Sequence, residues 1–162
     1  MPQARKTPPL RLRAEDDADV TVLSSFLQDA VVTMRDMAYL PSSKRFAMVV
    51  SRFMWETVGD GGTDGDGAAD YHRVTTGVHF DNVLSAVTRN LPRAGSDRAL
   101  ELLAIHSQPA QDGAATLTLI FSGGASVRLS VECIDCQAQD MGEPRPARHK
   151  PNHSVTDDVR FR

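Results

Sequence analysis

The sequence predicts a single α+β domain, with one N-terminal helix packed on an antiparallel sheet of about six strands that is curled into a barrel or sandwich. Three observations support this class. With 162 residues, 41% of them hydrophobic and 24% charged, the chain has the length and composition of one globular domain. A single segment near the N-terminus has helical periodicity. In most of the later segments apolar and polar residues alternate, and the segments end at turn-forming residues.

The chain divides into three predicted parts. Residues 1–9 contain three prolines and are expected to form a flexible arm, and residues 10–140 form the domain. Residues 141–162 contain Pro144, Pro146 and Pro151, which are incompatible with a regular helix, so this part is predicted to be a proline-rich extended tail.

The residues that precede the main strands predict a short strand and then the helix. LRLRA, at residues 10–14, alternates apolar and basic side chains and indicates an edge strand. In EDDADVTVLSSFLQDA the apolar residues recur at helical spacing: Val20, Leu23, Phe26 and Leu27. Acidic residues at the start of a helix are stabilised by the positive end of its dipole. We therefore interpret the acids that open this segment as helix-capping residues and not as a metal site.

The remaining segments predict strands joined by short turns. VVTMRDMAYL and RFAMVVSRFMWE flank Pro41–Lys44, and TLTLIF and SVRLSVEC flank Ser122–Ala125; both pairs are typical of hairpins, and the glycines of the second turn supply positive φ. YHRVTTGVHFDNVLSAVTRN is long for one strand, so Gly77 or the pair Asp81–Asn82 is expected to bend or divide it. Residues 99–107 are compatible with either strand or helix.

The charge distribution argues against nucleic-acid binding. Residues 14–140 hold nine Lys/Arg against eighteen Asp/Glu, whereas the two terminal segments are sparsely basic. A body this acidic repels phosphate backbones, so no nucleic-acid partner is expected. Neither a run of about 18 apolar residues nor an apolar signal segment occurs, and two cysteines do not form a disulfide scaffold, so a cytoplasmic protein without membrane contact is expected.

Cys133, Cys136, His149 and His153 match the spacing of a zinc finger, C-x2-C-x12-H-x3-H. Along a regular strand the two cysteines point to opposite faces and their Cα atoms lie about 10 Å apart, which excludes a zinc pair and a redox pair alike. A shift of apolar parity after Cys133 predicts a β-bulge that weakens this argument. The spacer and the histidine pair contain prolines, so neither the helix nor the small core of a finger can form. We expect a buried Cys133, an incidental Cys136 and no metal or cofactor.

The loop from Asp60 to Asp70, DGGTDGDGAAD, resembles a calcium loop in composition only. Counted from Asp64 or from Asp60, the EF-hand ligand positions are not filled, and no glutamate stands at position 12. The loop is therefore interpreted as a charged hairpin connection.

Two surfaces remain as functional candidates. Phe53, Met54 and Trp55 belong to a strand that is apolar on both faces, and they predict an interface with a partner protein or with a second copy of the chain. Alternatively, His79 and Asp81 share one face of a strand and, with His106, could serve a small enzyme or a metal-dependent binder. The first hypothesis, a non-catalytic protein-binding or assembly module, is preferred because the sequence has no catalytic motif.

The sequence also resembles a family of short uncharacterised bacterial proteins that is grouped as a domain of unknown function. The matching segments are LRLRAEDDADVTVLSSFLQDAVV, DMAYLPSSKRFAMVVSRFMWE, GVHFDNVL and LTLIFSGGASVRLSVECIDCQAQDMGEP. The resemblance implies a cytosolic bacterial protein and supplies no activity, cofactor or site residues. ECID is a recurrent string of that family, whereas the second cysteine and the tail histidines are not.

Overall fold

The computed structural model describes residues 7–60, 71–147 and 151. This part of the chain contains one α-helix, α1 (Asp17–Leu27). Its ten strands are β1 (Arg11–Ala14), β2 (Ala30–Val32), β3 (Met37–Leu40), β4 (Arg45–Phe53), β5 (His72–Phe80), β6 (Val83–Arg89), β7 (Leu100–Pro109), β8 (Ala115–Phe121), β9 (Ser126–Val131) and β10 (Cys136–Pro146).

All ten strands belong to one antiparallel sheet in the order β1-β10-β5-β4-β2-β7-β8-β9-β6, and β3 also pairs with β4. The α+β class and the antiparallel sheet are confirmed. The predicted barrel is wrong, because the order begins at β1 and ends at β6 without closing. The sheet curls enough for the Val83 N–H, at the start of the edge strand β6, to donate to the Lys44 carbonyl at 2.9 Å.

The expected number of six strands is too low for two physical reasons. Two predicted strands are each divided: the 3-10 turn Met34–Asp36 separates β2 from β3, and Asp81–Asn82 separate β5 from β6. Asn82 has a φ of 60°, a left-handed conformation that ends the strand. The edge strand predicted at residues 10–14, ahead of the helix and apart from those six, is present as β1, and it pairs with β10, most of which was assigned to the tail.

Helix α1 begins and packs as its sequence predicts. The Asp16 side chain accepts a hydrogen bond from the Asp19 N–H at 2.8 Å, which caps the helix, and Asp17 and Asp19 lie in its first turn. The buried face consists of Val20, Leu23 and Leu27, and it packs mainly against β7 and β1. The helix therefore covers the core side of the sheet.

Both predicted hairpins are present. Pro41–Ser43 form a 3-10 turn between β3 and β4, and Lys44 closes it at a φ of 52°. Ser122–Gly124 join β8 to β9, and Gly123 and Gly124 adopt φ values of 73° and 75°, as a tight turn requires. Residues 99–107, which were compatible with either state, lie mainly in strand β7.

Strand β10 corrects the expected boundary between domain and tail. It pairs with β5 from Cys136↔Phe80 to Pro146↔His72, with a bulge between Met141 and Arg145. Pro144 and Pro146 are compatible with a strand because β1 pairs with β10 only as far as Gln139, which leaves the later part of β10 at an edge. The division placed after residue 140 thus falls inside a strand. The arm before residue 7 and the tail from residue 152 lie outside the described residues.

Candidate functional site

The side of β4, β5 and β10 that points away from the core carries a shallow groove; we call this side the outer face. Pairing aligns its residues in transverse rows, since directly opposed residues of antiparallel strands project to the same side. The central row runs through Arg11, Gln139, Gly77 and Val49. The neighbouring row contains Arg13, Gln137, His79, Ala47 and Ala38, and the row on the other side contains Met141, Thr75 and Ser51.

Gly77 creates the depression at the centre of the groove. It has no side chain, and a Cβ placed there would lie 3.2 Å from the Met141 Sδ, so Met141 leans over the open position. Ala47, in the adjacent row, is also small. The groove has a volume of about 270 Å³ and is bordered by Val49 and Met141, which are 40% and 46% exposed.

The charged groups at the groove are mainly cationic. Arg11 and Arg45 line it together with His79, and the described residues that line it include no carboxylate. Arg45 Nε lies 2.7 Å from an Asp81 oxygen, so its charge is partly compensated. Arg11 is exposed, and no ion pair or hydrogen bond joins it to another described residue.

His79, Asp81 and His106 are only partly brought together. His79 Nδ1 lies 3.1 Å from Asp81 Oδ2, which is within ion-pair distance, but Nδ1 makes no hydrogen bond to a described residue. His106 lies on β7, opposite Thr118 of β8, and β4 and β2 separate β7 from β5 in the sheet order. Within the described ranges, no three His, Cys, Asp or Glu side chains form a cluster suited to a metal ion. The geometry provides a histidine oriented beside a carboxylate at one end of the groove.

The predicted interface of Phe53, Met54 and Trp55 lies largely inside the monomer. Phe53 and Met54 are 0% and 3% exposed. The Phe53 ring contacts the Trp55 ring edge-on, with centroids 4.6 Å apart, and the Trp55 Nε1–H donates to the Gln28 carbonyl at 2.9 Å. The apolar residues on both sides of this strand end are explained by burial against neighbouring segments, so they offer little surface to a partner.

The two cysteines occupy environments opposite to those predicted. Strand β9 ends at Val131, and a new strand starts at Cys136, so there is no bulge in a continuous strand. Cys136 faces the core at 0% exposure, opposite Phe80, whereas Cys133 lies in the exposed connection, where its Sγ accepts a hydrogen bond from the Asn82 side chain. The prediction of a buried Cys133 is therefore wrong. His149 and His153 lie outside the described residues.

This arrangement predicts that one thiol reacts in the folded protein. Burial raises the pKa of the Cys136 thiol to about 12, so its reactive thiolate is scarce at neutral pH. Titration of the native protein with a chromogenic disulfide reagent at pH 8 is expected to modify one cysteine rapidly and the second only after unfolding in guanidinium. Cys133→Ser should abolish the rapid phase. Rapid modification of both thiols would contradict the burial of Cys136.

A buried ionic network lies on the core side of the same three strands, and no sequence pattern predicts it. Arg52, at 0% exposure, donates from Nε and Nη2 to both oxygens of Asp140 at 3.1 and 2.7 Å. Its Nη1 and Nη2 also donate to the two oxygens of Glu56 at 2.9 and 2.8 Å. Asp140 further accepts from the Thr76 hydroxyl and from the Leu10 N–H, both at 2.8 Å. The network ties β4, β5 and β10 to the segment that enters β1.

Opposing effects set the pKa values in this network. Burial disfavours the charge of Arg52 and of Asp140, but the hydrogen bonds and the mutual attraction outweigh it. The pKa of Asp140 is therefore held below its ordinary value of 3.8, and the pKa of Arg52 is raised. Both groups remain charged at neutral pH.

The lowered pKa of Asp140 makes part of the stability dependent on pH. A carboxyl whose folded pKa is depressed contributes fully above its unfolded pKa, and the contribution is lost as pH falls through the folded value. The free energy of unfolding is expected to decrease as the pH is lowered below about 4, and Asp140→Asn should show a smaller decrease. Urea unfolding at pH 7, 5, 4 and 3 measures this, with the exposed Asp97→Asn as control. Equal pH dependence of Asp140→Asn and wild type would contradict the assignment.

The residues of the groove carry no sequence motif, so the sequence does not predict the groove. Of the two points at which the sequence predicts a bend or division, Asp81–Asn82 divide the strand, whereas β5 continues through Gly77, whose missing side chain opens the surface. Arg11 belongs to the predicted edge strand LRLRA, whereas Met141 belongs to the predicted tail. Their approach to Gly77 depends on the pairing of β10 between β1 and β5, which no local pattern predicts.

The fold and groove define an α+β protein in which a large open antiparallel sheet carries a cationic depression on its outer face. The chain belongs to the family described as "Protein of unknown function (DUF2948)", whose model matches residues 10–153. The expected resemblance to a family of uncharacterised proteins is thereby confirmed. No curated protein and no solved structure gives a significant match. The part of the chain that the structure describes contains no helix long and apolar enough to cross a membrane.

Proposed function

We propose that this protein is a non-catalytic cytoplasmic module that works through protein contact, with the outer face as its contact surface. The observation that carries the proposal is the presence of exposed apolar side chains at the groove. Of the six large hydrophobic residues that are most exposed in the described ranges, Val49 and Met141 border the groove, and a third, Leu40, lies on the same side of the sheet on the neighbouring strand β3. Grouped exposed apolar residues bordered by charged ones are typical of protein-binding surfaces.

The shape of the groove also favours contact over catalysis. At about 270 Å³ it lies just below the range of about 300–1,000 Å³ that is common for pockets enclosing small molecules. The described lining contains no serine, threonine or cysteine that His79 could activate as a nucleophile. The alternative, an enzyme or metal-dependent binder that uses His79, Asp81 and His106, has less support because His106 lies on a distant strand of the sheet order.

Affinity capture from the native cell tests the proposal with a matched pair of variants. Val49→Asp places a charge on the outer face, and Val87→Asp places one on β6; the two valines are 40% and 53% exposed. A specific partner identified by mass spectrometry should be lost from Val49→Asp, by tenfold or more, and retained by Val87→Asp. Light scattering of wild type and of both variants shows whether the partner is a second copy of the chain. Retention of every specific partner by Val49→Asp would contradict the proposal.

A further inference from the structure

The composition of the groove restricts the chemistry of its occupant. Its basic lining residues are Arg11, Arg45 and His79, and its amides, Gln137 and Gln139, can donate or accept hydrogen bonds. Its floor and border are apolar at Ala47, Gly77, Val49 and Met141. An occupant that satisfies both parts carries a carboxylate next to an apolar group.

The spacing of the strands places these two parts within the reach of a short peptide. Adjacent strands lie about 4.8 Å apart, so the Cα atoms of Arg11 and Gly77, two strands apart, are separated by about 10 Å. The arginine side chain covers a large part of that distance. A carboxylate near Arg11 and an apolar side chain over Gly77 can therefore belong to residues i and i+2 of one extended segment, since alternate residues of a strand project to the same side and are about 6.6 Å apart.

Charge distinguishes among the macromolecular partners. An isologous pair formed by two outer faces would place one cationic groove against the other, and like charges across an interface oppose association. A nucleic acid would meet an acidic body beyond the face, with eighteen Asp/Glu against nine Lys/Arg in residues 14–140. An acidic, partly apolar protein segment is complementary to the groove itself.

We propose that the groove over Gly77 binds a short extended acidic segment of a partner protein, with a carboxylate of that segment at Arg11 and an aliphatic side chain two residues away over Gly77. This inference rests on the proposed function and specifies the partner's chemistry. Electrostatic attraction supplies part of the affinity at the exposed Arg11, so binding should weaken as salt is added.

Fluorescence anisotropy with the labelled hexapeptide Leu-Ser-Asp-Ser-Leu-Ser, whose Leu and Asp side chains project to the same side of an extended chain, tests the inference at 20 and 200 mM salt. The full chain should bind this probe saturably and more weakly at high salt, and the peptides with Lys in place of Asp, or with Ser in place of both Leu residues, should each bind at least tenfold more weakly. Unlabelled hexanoate serves as a free small carboxylate. Displacement of the probe by hexanoate at the peptide's own affinity would show a small-molecule site and overturn the inference, as would equal binding of the three peptides or no binding.

Two variants assign the binding to the groove. Arg11→Gln removes the cation, and Arg128→Gln, on the exposed β9 position, is its control. Gly77→Val fills the depression; its φ is not positive, and the atom it meets is the end of the flexible Met141 side chain, so the strand tolerates it. We expect at least tenfold weaker binding for Arg11→Gln and Gly77→Val, unchanged binding for Arg128→Gln, and thermal stability of Gly77→Val no lower than that of wild type.

The outcomes separate this inference from the function on which it rests. If Val49→Asp loses its cellular partner while the labelled hexapeptide binds Arg11→Gln as well as wild type, the outer face remains the contact surface and the acidic segment is rejected. If Val49→Asp retains its partners and the peptide still binds in an Arg11-dependent way, the cellular proposal fails and the groove chemistry stands.

Discussion

Arg52→Leu is expected to lower the free energy of unfolding by about 3–5 kcal/mol. Arg52 is fully buried and neutralises Asp140, which is itself 3% exposed at the side chain, and Glu56, at 21%. Removal of the guanidinium leaves the Asp140 carboxylate buried without its main partner, and that loss costs more than the pair contributes when intact. Urea unfolding at pH 7, followed by circular dichroism, measures the change.

Two further variants separate this effect from the loss of any surface arginine. Arg35 forms an exposed ion pair with Asp97 at 3.2 Å, so Arg35→Leu should change stability by less than about 1 kcal/mol. Adding Asp140→Asn to Arg52→Leu removes the unpaired buried carboxylate and should restore part of the lost free energy of unfolding. The network assignment would be wrong if Arg52→Leu and Arg35→Leu had the same effect, or if Asp140→Asn added its full single-variant cost.

Phe80→Ala is expected to destabilise the protein by about 3–5 kcal/mol. Phe80 ends β5 at 0% exposure, lies opposite Cys136 and Phe46 in the sheet, and packs against the Phe46 ring with centroids 6.3 Å apart. Truncation removes buried apolar surface and leaves a cavity where β5, β4 and β10 meet.

The outer face of the same sheet provides the control for Phe80→Ala. Val49→Ala truncates a half-exposed side chain, and its effect should stay within about 0.5 kcal/mol of zero. Guanidinium unfolding of both variants measures the contrast. Similar losses for the two substitutions would contradict the assignment of Phe80 to the core and Val49 to the surface.

Local patterns predicted the elements whose physics is local. Helix α1 follows from its apolar spacing and its capping aspartate, and the hairpin at Ser122–Gly124 follows from glycines that adopt positive φ. Strand β10 was not predicted, because its Pro144 and Pro146 are tolerated only where the strand edge has no partner. That condition depends on the sheet order, which the sequence does not display.

The candidate site was less predictable than the fold for the same reason. Arg52 alternates with Phe46, Met48 and Val50 on the inward side of β4, where a charge is acceptable only because Asp140, 88 residues later, reaches it. The groove likewise needs Arg11 and Gly77 on strands that only β10 brings together. The prediction of a buried Cys133 is wrong for a local reason: the apolar alternation continues past Val131, but the strand ends there.

The central claim is that the outer face is the contact surface of this protein, and in-cell photo-crosslinking tests it most directly. A benzophenone amino acid is placed at Met141, on the outer face, or at Val22, on the exposed side of α1; the two side chains are 46% and 48% exposed. Irradiation of the native cells should yield a discrete higher-mass adduct from position 141 and none from position 22. An adduct from position 22 with none from position 141 would contradict the account.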